Sequence, residues 1–265
     1  MDLRLDSNKT RIRILVAYDG TDFFGWQKQP NTHKTVQGVL ETILSKIYNQ
    51  KITVIASGRT DRGVHALNQW AHFELPPDLD HSKLQYKFRR MSPDSIVVKK
   101  IETVPADFHA QISAVSKCYK YRLISGTQLN PFQNRYTFQP GRLVNLEYLQ
   151  KLAPLLLGEQ DFTSFQSQGT PVNSTVRHIL ISRWIKRNSG LLEYQIQGSG
   201  FLKQMVRNIV GTMLKLEQLQ APSDEFSQIL EAKDRGRAAA PAPPQGLFLT
   251  SVQYPKSLDN KCRKL

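Results

Sequence analysis

Arg11-Ile12-Arg13-Ile14-Leu15-Val16-Ala17-Tyr18 sets Ile12, Ile14, Val16 and Tyr18 in alternation with Arg11, Arg13 and Leu15. Period two is the signature of a strand. The chain then changes character. A polar turn, Asp19-Gly20-Thr21-Asp22, leads into Phe23-Phe24-Gly25-Trp26-Gln27. From Thr35, Val36, Val39, Leu40, Ile43, Leu44 and Ile47 recur at the spacing of one helix face. Residues 52–56 read as a strand, residues 57–63 as a loop, and residues 70–75 alternate again. Ser82, with Gln85 three residues on, resembles a capping box for a short basic helix.

The second half is equally mixed. Residues 118–124 read as a strand with Tyr119, Tyr121 and Leu123 on one face. Asn145 is placed to cap a helix carrying Leu146, Leu149, Leu152 and Leu156, ended by Gly158. Residues 176–186 and 192–196 read as a hairpin around Asn188-Ser189-Gly190. Leu202, Met205, Val206, Ile209, Val210, Met213 and Leu214 mark a strongly amphipathic helix. Pro222 and Ser223 open another that stops near Gly236. Ala240-Pro241-Ala242-Pro243-Pro244 forces an extended segment. The tail, residues 256–265, is polar and is expected to fray. Strands and helices mixed without strict βαβ alternation point to an α+β fold with largely antiparallel sheet. A lobe boundary is placed near residues 104–108, giving lobes 1–105 and 106–265.

The chain has 265 residues, ample for a sizeable core. Lys and Arg number 36 against 22 Asp and Glu, so the net charge is 36 − 22 = +14. The excess is spread over Arg11, Arg13, Arg59, Arg62, Arg89, Arg90, Lys99, Lys100, Lys117, Lys120 and Arg122. It suits a polyanion such as nucleic acid, or simply a soluble basic protein. Two cysteines, Cys118 and Cys262, exclude a disulfide scaffold and a Cys-rich zinc site. No His pair stands at metal-ligand spacing, no apolar signal segment opens the chain, and no apolar stretch reaches 18 residues. A cytoplasmic protein without a Cys- or His-built metal site and without a membrane span is expected.

The loop around Asp61 is unusual. Gly58 and Gly63 allow tight turns, and Arg59 and Arg62 flank the carboxylate. Neighbouring guanidinium groups keep a carboxylate ionised, as a nucleophile or general base requires. An Asp–Arg pair that merely caps a turn has the same composition. The surrounding motifs add context. Gly58-Arg59-Thr60-Asp61-Arg62-Gly63-Val64-His65-Ala66 resembles the catalytic signature of the TruA family of tRNA pseudouridine synthases. Asp19-Gly20-Thr21 with Phe24-Gly25-Trp26-Gln27, Thr35-Val36-Gln37-Gly38, Phe108-His109-Ala110, Lys117-Cys118-Tyr119-Lys120-Tyr121, Asp161-Phe162-Thr163-Ser164-Phe165, Thr175-Val176-Arg177, Met205-Val206-Arg207-Asn208-Ile209-Val210-Gly211 and residues 240–247 follow in that family's order.

The resemblance implies a two-lobed α+β body with a catalytic cleft between lobes over a central sheet. It implies isomerisation of uridine to pseudouridine at positions 38, 39 and 40 of the tRNA anticodon arm, by a homodimer without cofactor or metal. It implies Asp61 as nucleophile, Arg207 paired with that carboxylate, and Tyr119 packed on the base and assisting loss of the C5 proton. Arg59 and Leu247 are implied as substrate contacts. Taken alone, Arg207 reads equally as a surface or phosphate-contacting arginine, and Tyr119 and Leu247 as core residues. The chain departs from the pattern at Arg62, where the family has a small residue, and at Gln111, where it has arginine. Arg62 is therefore a further candidate substrate contact, standing in for the arginine absent at 111. Residues 91–94 are a loose version of a family stretch. His65, His72 and His178 read as structural histidines, and Trp26 and Trp70 as core. Two other classes compete: a catalytically idle RNA-binding protein or tRNA-folding helper, and a metal-dependent nuclease, for which the carboxylate cluster is missing near Asp61.

Overall fold

The computed structural model describes residues 9–32, 34–76, 79–169, 172–187 and 190–265. Two compact units divide the chain: residues 1–115 with 249–265, and residues 116–248.

In the first unit, β1 (Thr10–Tyr18) runs between two antiparallel neighbours. A helix, α1 (Val36–Tyr48), precedes β2 (Ile55–Ala56) and β3 (His65–Leu75). Next come α2 (Leu84–Met91) and β4 (Ile96–Thr103). The β1–β3 register sets Ile12 opposite Phe73 and Ile14 opposite Ala71, and β1–β4 sets Ile14 opposite Ile101. All five residues are at most 2% exposed. Burial of such side chains contributes roughly 1.5–3 kcal/mol each for the large ones. The helix α1 forms where the apolar period predicts it. Thr35 caps its start, Oγ1 accepting from the Gly38 amide at 3.2 Å, and Asn49 ends it in the left-handed region at φ 50°.

The second unit carries β5 (Ser116–Ile124), α3 (Leu146–Leu152), β6 (Gly158–Asp161), β7 (Val176–Lys186) and β8 (Leu191–Gly198). Its strands pair antiparallel in the order β5-β8-β7-β6. Two helices follow, α4 (Met205–Leu219) and α5 (Asp224–Glu231). Tyr119, Tyr121 and Leu123 are buried on one face of β5, as alternation predicts. Asn145 caps α3 as expected, its side chain accepting from the Tyr148 amide at 3.1 Å. The strand β9 (Leu247–Gln253) leads the chain back to the first unit, which ends with α6 (Lys256–Asp259) and β10 (Arg263–Lys264). The α+β class and the antiparallel sheet read from the sequence hold.

Several local expectations do not. Ser82 does not cap α2, which starts after Lys83 without a side-chain cap; Asp80 takes both the Ser82 amide, at 2.8 Å, and the Ser82 hydroxyl. The strand expected at 52–56 is paired only at Ile55 and Ala56. The helix expected from Leu202 begins at Met205, because Gln204 sits at φ 58°. The tail does not fray: β10 pairs with β4, Arg263 opposite Thr103. This return of the C-terminus is also why the units differ from consecutive lobes divided at 105. The turn residues Asn188 and Ser189 lie outside the described residues, although the strands flanking them pair as a hairpin.

The charge excess is also less free than its dispersion suggested. Arg13 is 3% exposed. It donates to Glu102 at 2.8 Å and Asp259 at 2.7 Å, and its guanidinium carbon stands 4.3 Å over the Trp70 ring. Glu74 takes Arg11, and Glu102 takes Lys100. Glu193 takes Lys120, Arg122 and Arg187. Arg59, Arg62, Arg89, Arg90 and Lys99 remain exposed. No helix among the described residues is long and apolar enough to cross a membrane.

Candidate active site

Asp61 occupies the loop that joins β2 to β3, and backbone hydrogen bonds pin that loop on both sides of it. At the loop's base, the Ser57 amide donates to Trp70 O at 2.7 Å. The fully buried Gln69 bonds the Ser57 hydroxyl and donates to Gly58 O at 2.6 Å. Next to Asp61, Thr60 is held three ways. Its hydroxyl meets the Tyr18 hydroxyl at 2.8 Å, its carbonyl accepts from the Trp26 amide at 3.0 Å, and its side chain is buried. Beyond Asp61, the Gly63 amide donates to Phe23 O at 3.3 Å and the Val64 amide to Asp61 O at 3.1 Å.

The Phe23–Trp26 segment is thus a backbone cradle for the Asp61 loop. Its closeness explains Gly25: a Cβ there would stand 2.6 Å from Thr60 O and 3.1 Å from Asp61 C, at φ +90°. Behind the loop, the Gly20 amide and an Asp19 carboxylate oxygen both lie 3.1 Å from His65 Nδ1. One nitrogen cannot accept from the amide and donate to the carboxylate at once, so the tautomer selects between them. His65 is 1% exposed.

The Asp61 side chain itself is partly exposed, while Arg59 and Arg62 point outward. Arg62 has a partner: its guanidinium carbon lies 4.3 Å over the Phe24 ring, a cation–π contact at an exposed site. Gln111 is exposed, and its amide donates to His109 Nδ1 at 3.2 Å. Among the described residues, no group of three or more His, Cys, Asp or Glu gathers as a metal-ligand set.

The second unit gathers the other candidates. Tyr119 is 7% exposed and meets the Phe201 ring edge-on at 5.0 Å. Arg207, on the first turn of α4, is clasped by the Ala-Pro segment. Its Nε donates to Ala242 O at 2.8 Å, and its own carbonyl accepts from the Ala242 amide at 2.9 Å. The approach is close because residue 211 is glycine: a Cβ there would lie 2.0 Å from Ala240 O. Tyr121 ties the same segment to β5, its hydroxyl donating to Pro243 O at 2.9 Å. Burial raises the Tyr121 pKa strongly, and the charge of Arg207 opposes this. Leu247, at the end of that segment, is 5% exposed.

Sequence reasoning did not single out Gln69, Thr60, Tyr18 or Phe24. Each positions the Asp61 loop or its flanking arginine, and none carries a signal apart from lying near a motif.

The sequence profile of the family described as tRNA pseudouridine synthase matches residues 14–111 and 152–255. A Bdellovibrio bacteriovorus protein named tRNA pseudouridine synthase A is 48% identical over 260 residues, 97% of this chain and 99% of that one. A Limosilactobacillus reuteri protein of that name is 42% identical over 250 residues, 92% and 96% of the two chains. A Protochlamydia amoebophila protein named tRNA pseudouridine synthase A 1 is 40% identical over 245 residues, 91% and 95%. With the Asp61 loop and the Arg207 helix both inside the matched residues, and relatives 40–48% identical over more than nine-tenths of the chain, the chain belongs to the tRNA pseudouridine synthase family.

Proposed function

We propose that this chain isomerises uridine to pseudouridine in tRNA, at positions 38, 39 and 40 of the anticodon stem-loop, with Asp61 as nucleophile. The observation that carries the reading is the placement of Asp61: a partly exposed carboxylate on a loop whose backbone is fixed on both sides. A nucleophile held in this way spends no ordering entropy at the moment of reaction. The reaction is an isomerisation. The N1–C1′ bond breaks, C5–C1′ forms, the C5 proton leaves to solvent and N1 takes up a proton, with no change of oxidation state. A carboxylate serves by adding to C6 of the base or C1′ of the sugar, or by removing a sugar proton. All three routes need it ionised.

Tyr119 and Arg207 are assigned as further catalytic residues. The Tyr119 ring supplies a flat surface for the uracil, and Arg207 is a cation immobilised by the Ala242 clasp. Arg59, Arg62 and Leu247 are assigned to substrate binding, the two exposed arginines at phosphates or bases and Leu247 at the uracil. Taking a uridine out of its stack costs roughly a few kcal/mol, which such contacts offset. The working form is taken to be a cytoplasmic homodimer, acting without metal or organic cofactor. The reading of an idle RNA-binding scaffold finds no support, since the relatives that match over 91–97% of the chain are named as synthases.

The test is tritium release from tRNA labelled at uridine C5, with tRNA binding measured in parallel. The unaltered chain is expected to release the label, and Asp61→Asn to bind tRNA without release. The Asn side chain is nearly isosteric and lacks only the charge. Release at the wild-type rate from Asp61→Asn would overturn the assignment.

A further inference from the structure

Lys117 stands near the start of β5, two residues before Tyr119 and therefore on the same face of the strand. Its partner across the β5–β8 ladder is Gly198, and Gly198 is in turn opposite Ile179 on β7. Residues directly opposite share a face, so Arg177, two positions before Ile179, is on this face as well. The guanidinium crosses the backbone at Gly200, where a Cβ would lie 3.5 Å from Arg177 Nε. Gly198, the last residue of β8, and Gly200 just beyond it carry no side chain. Lys117 and Arg177 thus share a face, close enough for the Arg177 charge to act on Lys117.

Arg177 Nη1 donates to the carbonyls of Ser174 at 2.8 Å and Val176 at 2.6 Å, which fixes the guanidinium plane. Among the described residues, no carboxylate acts on Lys117 or Arg177. Three partly buried cations of this unit do meet carboxylates: Lys120 and Arg122 at Glu193, and Arg142 at Glu217. Burial, then the neighbouring Arg177 charge, holds the Lys117 ammonium below the ordinary lysine range, and burial lowers Arg177 too. Two like charges, partly desolvated and without a counter-ion, oppose folding. An uncharged side chain of similar length at 117 would fill the same space without that cost, so the pair is explained by a ligand rather than by the fold.

We propose that Lys117 and Arg177 together bind one backbone phosphate of the RNA substrate, beside the Tyr119–Phe201 aromatic pair. The ligand is a phosphodiester because its anionic oxygens accept from an ammonium and from the remaining guanidinium N–H groups at once. An RNA strand also brings a base for the adjoining aromatic surface with every phosphate. The proposal rests on the reading of the chain as a tRNA-modifying enzyme and adds to it a site apart from the catalytic residues.

The experiment uses unmodified tRNA transcript with the full chain, Lys117→Met, Arg177→Gln and the double variant. Binding is followed against salt, and thermal unfolding is followed without RNA. Each single variant is expected to weaken binding roughly tenfold at low salt. The salt slope should fall by about 0.7–0.9, the share of one phosphate. The double variant should be little weaker than the singles, because both cations hold one anion. Lys117→Met should unfold at the same temperature as wild type or higher, a readout that a purely structural lysine would move downward. In a synthetic anticodon hairpin, one methylphosphonate linkage next to the target uridine should weaken wild type and leave the double variant unaffected. Wild-type affinity and slope in the double variant would overturn the proposal, as would a lower unfolding temperature with unchanged binding. If the wild-type chain binds tRNA with this pair-dependent slope but releases no tritium, the enzymatic reading fails and the phosphate site stands.

Discussion

His72 lies on β3 with 3% of its surface exposed, and its Nδ1 accepts from the Ala110 amide at 3.1 Å. Burial, then the charges of His109 and Arg11, pushes its pKa down from 6.5 to about 3. The unfolded chain therefore takes up a proton near pH 6.5 that the folded chain refuses until about pH 3. The stabilisation is complete above the unfolded value and is lost as pH falls between the two. Thermal unfolding followed across that window should show a falling midpoint, with about one proton of the uptake belonging to His72. His72→Gln should flatten the slope, and an unchanged slope would assign the proton elsewhere. His72 reads as structural, but neither its burial nor that of Arg13, its partner across β1 and β3, was legible. Period-two reading assigns a side chain to the face opposite the core, and only the tertiary fold reveals that Trp70 and Glu102 cover that second face.

At the scale of elements, α4 was legible and its clasp was not. Apolar spacing over Leu202–Leu214 sets the helix, while nothing in the chain says that Ala240-Pro241-Ala242 lies against it. In an isolated helix, Gly→Ala is stabilising by roughly 0.5–1 kcal/mol. Here the sign reverses. A Cβ at position 211 meets Ala240 O at 2.0 Å, a backbone atom that cannot rotate away. Gly211→Ala should cost about 1–3 kcal/mol, the range of an overpacked core, read from the urea midpoint. By pushing Ala242 off Arg207, it should also lower turnover more than tRNA binding. A stabilised variant with normal turnover would show that the clasp gives way freely. The same contrast explains the Ser82 error: the sequence pattern for a capping box was present, but Asp80 holds both the Ser82 amide and its hydroxyl.

For the whole molecule, the mixed fold class was legible because strand and helix periods are local properties. The division into units was not, because the last seventeen residues rejoin the first 115 through contacts that have no sequence pattern. The junction depends on Arg13, which holds Glu102 of β4 and Asp259 of α6. Its two carboxylates are not equivalent. The Arg13 and Glu102 side chains are 4% and 6% exposed, whereas Asp259 is 44% exposed. Solvent screens the outer pair, so Asp259→Asn should cost about 0–1 kcal/mol. Glu102→Gln leaves a buried guanidinium without its main counter-ion and should cost about 3–5 kcal/mol. Neither residue is assigned to catalysis, so both variants should keep turnover at temperatures where they remain folded. Urea unfolding of the two proteins distinguishes the contributions. Equal losses would mean that the docked tail, rather than the buried pair on β1 and β4, holds the first unit together.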